Sequence, residues 1–192
     1  MNTQTKILKV MKKTTALLVC FIIGTTAFAQ KMMTRSGEIK FDATVPNEVE
    51  IIGTNKTVSC IFDQSTGDFV ALALVKAFKF KAPLMEEHFN ENYMESSQYP
   101  KATFKGKVLN FSASKLSSTK STYDLEGDLT IHGVTKKIKT KINLSLNSGN
   151  ITATSNFSVK AEDYKIEIPG LVKDKFAENI KITINFNLEG GK

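Results

Sequence analysis

The feature that most constrains this chain is an alternation of apolar and polar residues that recurs in eight separate segments. Between Ile180 and Leu188, for example, apolar residues alternate with lysine, threonine and asparagine. A period of two places successive side chains on opposite faces of a β-strand, so each segment buries one face and exposes the other. The eight predicted strands span residues 37–45, 58–62, 68–80, 102–108, 123–131, 138–146, 151–159 and 180–188.

Short turn sequences separate several of these strands. Ser65-Thr66-Gly67, His132-Gly133 and Asn147-Ser148-Gly149 are typical of hairpin connections between antiparallel strands. Eight strands that each bury one face can close into a barrel, which removes the exposed edges of an open sheet. The sequence therefore predicts an all-β, eight-stranded antiparallel barrel. A two-sheet sandwich fits the same alternation and is the alternative.

One segment has a helical period instead. Leu84, Met85, His88, Phe89 and Tyr93 fall on one stripe at spacings typical of a helix. The preceding Pro83 suits a first helical position. We predict one short helix at about 83–94, between the third and fourth strands. A second short helix is expected at 171–177, inside the long connection 161–179.

The first 29 residues have the organisation of a secretory signal peptide. Four lysines and no acidic residue precede an apolar run at 16–27, which ends in Ala27-Phe28-Ala29. Small residues at these two alanine positions predict cleavage before Gln30. The expectation is a signal peptide at 1–29, a single barrel domain at 30–192, and a periplasmic or secreted protein. Lipid attachment at Cys20 is a weak alternative, because Val19 stands where a small residue is needed.

The charge and cysteine content change when the signal segment is removed. The full chain carries 26 basic and 19 acidic residues, a formal net charge of +7. Loss of the four signal lysines leaves 22 basic residues, so the charge of the mature chain falls to +3. Nucleic-acid binding is not predicted, because it requires a concentrated basic excess. Cys60 would be the single remaining cysteine, and we expect it to be a small buried apolar residue.

The inward-facing positions of the predicted strands contain no charged residue. Their polar members are Thr140, Ser155 and the hydroxyl of Tyr123. An eight-stranded barrel is either filled by its own side chains or wide enough for one ligand. Small residues lie on the inward phase at Gly37, Ala43, Ala102, Gly106, Gly127, Ala153 and Ser155. This pattern leaves both a ligand cavity and a solid core open.

Residues able to carry out catalysis are few. His88 lies near Glu87 and Glu91, but no third metal ligand is apparent. His132 occupies a tight turn, where a structural role is expected. We predict no metal, no cofactor and no enzymatic activity. The alternative is an enzyme that uses His88 with Glu87 or Glu91.

Two other features allow more than one interpretation. Lys136, Lys137, Lys139 and Lys141 are typical of a solvated strand face, and a transient attraction to anionic membrane lipids is the alternative. The pair Asp163-Tyr164 fits either a polar latch or a loop acid beside an anchoring aromatic residue.

Three segments resemble the YceI-like family of bacterial, exported, polyisoprenoid-binding proteins. The first is residues 84–104, with His88 in the helix and then Tyr93-Met94, Tyr99-Pro100 and Thr103-Phe104. The second is the hairpin at 127–136, Gly-Asp-Leu-Thr-Ile-His-Gly-Val-Thr-Lys. The third runs from Phe157 through Asp163-Tyr164 to Ile168-Pro169. The resemblance covers residues from about 37 to 188.

The resemblance implies a lipocalin-like barrel that holds an isoprenoid chain in an apolar tunnel. The predicted function is binding and carriage of such a lipid, and the alternatives are an enzyme acting on it or an envelope interaction module with a solid core. The oligomeric state stays open, a dimer included. The candidate cavity-lining residues are Phe41, Ala43, Phe78, Phe80, Phe89, Phe104, Leu129, Ile142, Ala153, Phe157, Ile184 and Phe186, with His88, Tyr93 and Tyr164 at the rim.

Overall fold

A closed antiparallel barrel accounts for most of the chain. The computed structural model describes residues 31–190, so the predicted signal segment lies outside the described residues. The strands are β1 (Lys31–Thr44), β2 (Ile52–Asp63), β3 (Asp68–Leu74), β4 (Lys101–Val108), β5 (Ser121–Ile131), β6 (Val134–Asn147), β7 (Asn150–Val159) and β8 (Phe176–Gly190). Each strand pairs with the next, and β8 pairs with β1. The predicted eight-stranded barrel is confirmed, and the sandwich is excluded because the ladder is closed.

The up-and-down order of the strands divides the connections between two ends of the barrel. Connections 45–51, 75–100, 132–133 and 160–175 lie at one end, which we call the mouth end. Connections 64–67, 109–120 and 148–149 lie at the other, which we call the closed end. The two longest connections are therefore both at the mouth end, where they can cover the barrel interior.

The predicted helix is present between β3 and β4. Helix α1 (Pro83–His88) continues into a single π-helical turn at Phe89–Tyr93. The backbone N–H of Met94 donates to the carbonyl oxygen of Phe89 at 2.9 Å, which closes this wider turn. Such turns are rare and frequently occur at functional sites.

The third strand is shorter than predicted. It ends at Leu74, and Val75–Ala77 form a 3-10 turn. The side-chain amide of Asn55 donates to the carbonyl oxygen of Leu74 at 3.0 Å, so this group bonds to β2 and not to β4. Beyond the turn, Lys79 pairs with Thr54 in an isolated bridge. The prediction of a strand at 75–80 was therefore wrong. Phe78 and Phe80 continue the alternation of apolar and polar residues, but this part of the chain crosses the mouth end and forms only the one bridge to β2.

The second short helix, predicted at 171–177, is present as a 3-10 helix that begins and ends slightly earlier. The chain forms a 3-10 helix at Gly170–Lys175, and Phe176 opens β8 by pairing with Thr44 of β1. The ladder partner Thr44 on β1 is available to Phe176, and this pairing ends the helical turns.

Two strands begin earlier than their alternation indicates, because each contains a β-bulge. In β1 the pairing register shifts between Thr34 and Gly37, and in β2 it shifts beside Val58. Each bulge moves the inward face from one parity of residue numbers to the other. A period of two therefore predicted only the part of each strand after its bulge.

The closed half of the barrel is filled by its own side chains. Connection 109–120 lies across this end, with the ring of Phe111 4.9 Å from that of Phe62. The backbone N–H of Leu146 donates to the carbonyl oxygen of Ser117 at 2.8 Å, which holds the connection in place. The buried residues of this half are Met32, Val58, Cys60, Phe62, Val108, Ile142, Leu144, Ile151, Ala153 and Leu188.

Several small inward residues accommodate aromatic rings and leave no open space. Gly106 and Gly127 face each other across β4 and β5, and the ring of Phe104 lies over them. A Cβ at Gly127 would come within 2.7 Å of that ring. A Cβ at Gly37 would likewise lie only 2.5 Å from the ring of Phe186, so this glycine also makes room for a ring. These glycines therefore bring aromatic rings to the middle of the barrel.

The outer face of β5 and β6 is electrically balanced. Lys137, Lys139 and Lys141 pair across the strands with Asp128, Glu126 and Asp124, at 3.9, 2.8 and 2.6 Å. These exposed pairs favour the interpretation of the lysine run as a solvated strand face. Within residues 31–190, no helix is long and apolar enough to cross a membrane.

Candidate functional site

The mouth half of the barrel encloses a cavity of about 420 Å³. Its floor is a layer of three aromatic rings, Phe69, Phe104 and Phe186, and Phe69 also packs against Phe62 of the filled half. Residues of connections 45–51, 75–100 and 160–175 border it at the mouth end. The volume lies within the usual range for small-molecule sites in proteins, ~300–1,000 Å³.

Most of the predicted cavity residues lie on this wall. Ten of the twelve line the cavity, namely Phe41, Ala43, Phe78, Phe80, Phe89, Phe104, Leu129, Phe157, Ile184 and Phe186, and the rim residues His88, Tyr93 and Tyr164 line it as well. Ile142 and Ala153 do not. Both are fully buried in the filled half of the barrel. Alternation identifies the face on which a residue lies but not its height along the barrel axis.

Four phenylalanines hold α1 on the barrel. The ring of Phe89, at the start of the π-helical turn, lies 5.2 Å from Phe41, 5.8 Å from Phe78 and 5.0 Å from Phe80. The four rings form one cluster that joins β1, the segment between β3 and α1, and the helix. Such aromatic pairs add ~0.5–1.5 kcal/mol each beyond their area burial. Tyr93 extends the contact to the start of β8, where its ring lies 5.5 Å from that of Phe176.

The strand part of the cavity wall is almost entirely apolar. Thr140 is a polar exception, and its hydroxyl lies 3.4 Å from that of Ser155. The Ser155 hydroxyl in turn donates to the carbonyl oxygen of Lys141 at 2.6 Å. The charged residues that border the cavity, Glu48, Lys160 and Lys175, all come from mouth connections. The polarity of the site thus increases from the floor to the mouth.

Tyr164 places its side chain beside the cavity. The residue is only 2% exposed, and its hydroxyl forms no hydrogen bond with another of the described residues, 31–190. Burial, and to a lesser degree the carboxylate of Asp163, raises the pKa of this hydroxyl above its ordinary value. It therefore remains a protonated hydrogen-bond donor at neutral and moderately alkaline pH.

A histidine that the sequence assigned only to a turn also joins two mouth connections. His132 has a φ of 50°, as its turn position requires. Its Nε2 lies 2.9 Å from a carboxylate oxygen of Glu95, and its Nδ1 lies 3.2 Å from the carbonyl oxygen of Tyr164. The ring of Tyr99 packs 4.4 Å from the imidazole. The motif residues Tyr99-Pro100 and His132-Gly133 lie far apart in the sequence, and only the fold shows that they meet.

The pair Asp163-Tyr164 combines both roles considered from the sequence. The carboxylate of Asp163 accepts from the ammonium of Lys136 at 2.8 Å, which ties connection 160–175 to β6. Tyr164 is the buried aromatic anchor of the same connection.

The remaining candidate reactive groups are not assembled into a site. Within residues 31–190, no three histidine, cysteine, aspartate or glutamate side chains are grouped to hold a metal ion, and this includes the region around His88. Cys60 is fully buried among apolar residues. Burial raises the pKa of its thiol far above the ordinary value, so the reactive thiolate is disfavoured.

Comparison with known proteins identifies the family. A family model of the YceI-like domain matches residues 24–188. The chain belongs to the YceI-like family. The motifs at 84–104, 127–136 and 157–169 therefore lie in a YceI-like domain, and the family resemblance predicted from the sequence is confirmed. A search of curated proteins finds no match to this YceI-like chain.

Solved structures with the same fold include other YceI-like proteins. A polyisoprenoid-binding domain from Saccharophagus degradans superposes with a TM-score of 0.73 at 16% identity, over 85% of this chain and 99% of that one. BcnA of Burkholderia cenocepacia superposes with a TM-score of 0.66 at 16% identity, over 79% of this chain and 95% of that one. The YceI protein of Campylobacter jejuni superposes with a TM-score of 0.54 at 18% identity, over 75% of this chain and 86% of that one. At these identities the likeness establishes the fold.

Proposed function

We propose that this protein is an exported carrier that binds an apolar lipid of the polyisoprenoid type inside the barrel. The observation that carries the proposal is the cavity of about 420 Å³ with an aromatic floor and an apolar wall. A polar ligand in such a site would lose its hydrogen bonds to water without replacement, whereas a hydrocarbon chain would not. The burial of apolar area at ~25 cal/mol per Å² then favours binding.

The distribution of polar groups sets the direction of the ligand in this proposal. The hydrocarbon end lies on the floor formed by Phe69, Phe104 and Phe186, and the polar end lies at the mouth. The hydroxyl of Tyr164, a residue that lines the cavity, is a suitable donor to an oxygen at that end. The Saccharophagus degradans domain of the same fold is a polyisoprenoid-binding protein, which supports this class of lipid.

Export is the second part of the proposal. The lysine-rich start, the apolar run and Ala27-Phe28-Ala29 support cleavage before Gln30. The mature carrier would then act in the periplasm or outside the cell. Intact-mass measurement of exported protein tests the cleavage position, and a lipid on Cys20 would contradict it.

The third part is that the protein binds without catalysis. The enzyme alternative relied on His88 with Glu87 or Glu91, and in the described structure neither glutamate forms a hydrogen bond with this histidine. The alternative of a solid interaction module is disfavoured by the cavity in the mouth half. Turnover of a bound isoprenoid lipid that is lost in His88→Ala would contradict this part.

The test combines identification of the ligand with a variant that fills its site. Mass spectrometry of an organic extract from protein purified from its native envelope should find a prenyl lipid. Stripped protein should then bind the isoprenoid alcohol geranylgeraniol, and Ala43→Phe, which places a ring in the cavity, should lower that binding at least about tenfold, ~1.4 kcal/mol. Val70→Phe on the outer wall is the matched control. Equal binding by both variants would exclude the cavity as the site.

A further inference from the structure

The cavity ends at its aromatic floor instead of passing through the barrel. Below the floor, Phe69 packs on Phe62 at 5.9 Å, and Phe62 packs on Phe111 of the connection across the closed end at 4.9 Å. The residues between the floor and that connection are buried. A chain that enters at the mouth therefore has no exit at the closed end, and it must stop at the floor.

Two glycines lie directly under the ring of Phe104. A Cβ at Gly106 or at Gly127 would lie 2.5 or 2.7 Å from its Cζ atom, so the tip of the ring takes the space of the missing side chains. Gly106 pairs with Gly127, and the next inward pair toward the closed end is Val108 with Leu125. The ring of Phe104 thus fills the space between the cavity and Val108.

The other two floor rings are packed more tightly than Phe104. Phe69 and Phe186 stack on each other at 6.2 Å, and each residue is 1% exposed. Phe104 meets Phe69 edge-on at 6.3 Å and is only partly buried. Removal of the Phe104 ring would therefore deepen the cavity with less loss of core packing than removal of either other ring.

The volume above the floor limits how much hydrocarbon the barrel can enclose. A water-sized group takes roughly 30 Å³ in a liquid, so the cavity of about 420 Å³ encloses roughly 14 non-hydrogen atoms. This corresponds to about three isoprene units. Further units would remain at the mouth, where Glu48, Lys160 and Lys175 border the cavity, and would gain little from burial.

We propose that Phe104 determines the length of the bound chain, and that the enclosed ligand is a prenyl chain of about three isoprene units. The proposal rests on the carrier function and adds the length of its ligand. The ring is about the size of one isoprene unit, so its removal should admit one more unit above Val108. Ala102 borders the cavity nearer the mouth on the same strand, so a ring at that position should raise the floor.

The test compares the affinities of stripped protein for geraniol, farnesol and geranylgeraniol, which form a series that grows by one isoprene unit at a time. Displacement of the fluorescent probe N-phenyl-1-naphthylamine measures each dissociation constant. In wild type, the step from geraniol to farnesol should tighten binding at least about tenfold, and the step to geranylgeraniol less than about threefold. In Phe104→Ala, the step to geranylgeraniol should also tighten binding at least about tenfold.

A second variant should shift the limit in the opposite direction. In Ala102→Phe, the step from geraniol to farnesol should tighten binding less than about threefold, because the raised floor leaves room for fewer units. This variant adds a ring to open space and removes no packing, so it decides the question if Phe104→Ala does not fold. A wild-type gain at the farnesol step in Ala102→Phe would contradict the proposal.

The matched control is Phe157→Ala, which removes the same ring from the cavity wall. Phe157 pairs with Ile182, whereas Phe186 of the floor pairs with Ala153, so Phe157 lies nearer the mouth. This variant should widen the cavity without deepening it, and it should keep the wild-type dependence on chain length. A tenfold gain at the geranylgeraniol step in wild type, or the same gain in Phe104→Ala and Phe157→Ala, would overturn the proposal.

Straight-chain alcohols, namely decanol, tetradecanol and octadecanol, separate this proposal from the carrier function when they are measured in parallel. If both series keep gaining affinity with length, the limit is removed and the carrier function stays. If only the straight-chain alcohols bind and their affinity levels off, the limit stays and isoprenoid carriage is removed. Binding of neither series would remove both.

Discussion

Nε2 of His132 lies 2.9 Å from Oε2 of Glu95, while Nδ1 of the same ring lies 3.2 Å from the carbonyl oxygen of Tyr164. The imidazole thus links the segment after the π-helical turn to the connection before β8. The carboxylate and the carbonyl oxygen are both hydrogen-bond acceptors for the ring nitrogens. The two segments that cover the cavity are held together through this side chain.

Removal of this link should loosen the mouth and leave the barrel intact. In His132→Ala, we expect the amides of 95–99 and 164–166 to exchange with solvent about tenfold faster or more, because hydrogen bonds to charged groups contribute ~1.5–3 kcal/mol. Hydrogen exchange read by mass spectrometry measures this. Lys136→Ala, which removes only the exposed pair with Asp163, should have a much smaller effect. Equal protection in His132→Ala and wild type would contradict the linking role.

Phe89 should contribute less to stability than a fully buried phenylalanine. Its ring packs on three others but also borders the cavity, and the residue is only partly buried. We expect Phe89→Ala to lower the free energy of unfolding by about 2 kcal/mol, below the ~3–5 kcal/mol typical of core positions. Urea denaturation measures the loss, and the exposed Leu84→Ala in the same helix should change it by under ~0.5 kcal/mol. A loss below 1 kcal/mol in Phe89→Ala would show that α1 is peripheral.

The two halves of the barrel should respond differently to an added ring. Ala153 lies in the filled half, so Ala153→Phe should cost ~1–3 kcal/mol or more through overpacking. Ala43 borders the cavity, so Ala43→Phe should leave the stability of the ligand-free protein unchanged or higher. Thermal melting of the two stripped variants compares them. Similar destabilisation in both would mean that the cavity is not available to a side chain.

The close approach of β4 and β5 should make Gly127 intolerant of a side chain. A Cβ there would lie 2.5 Å from the Cα of Gly106 and 2.6 Å from the carbonyl oxygen of Lys105, and these backbone atoms cannot rotate away. Gly127→Ala should destabilise the fold by ~1–3 kcal/mol or more. Gly170→Ala is the control, because nothing lies within 4 Å of its added Cβ. Comparable urea midpoints for the two variants would show that the strands separate easily.

Cys60 should be unreactive in the folded protein. Burial among apolar residues raises the pKa of its thiol, so the thiolate is scarce even at pH 9. The absorbance change with Ellman's reagent should be slow in buffer and rapid in guanidinium chloride. Because the unfolded thiol ionises near its ordinary pKa of ~8.5, Cys60 should also make the fold lose stability as the pH rises above that value. Rapid labelling of the native mature protein would contradict this assignment.

The strands themselves were predictable from the sequence, because a period of two depends only on local geometry and burial of one face. Residues 123–131 and 151–159 alternate without interruption, and β5 and β7 match them closely. Where a bulge changed the parity, as near Lys56 in β2, the same rule missed half of the strand. The helix was also predictable from neighbouring residues, since Pro83 and the apolar stripe are sufficient to indicate it.

Tertiary structure decided where the barrel is hollow and what holds the mouth. Ala43 and Ala153 have the same character in the sequence, but their heights along the barrel place one beside the cavity and the other in the filled core. Height depends on register, on bulges and on how rings such as Phe104 lie over distant glycines. The contact of His132 with Glu95 joins residues 37 positions apart. The sequence by itself determined the strands, the helix and the inward face, because these follow from neighbouring residues, whereas the cavity and its mouth follow from packing between remote ones.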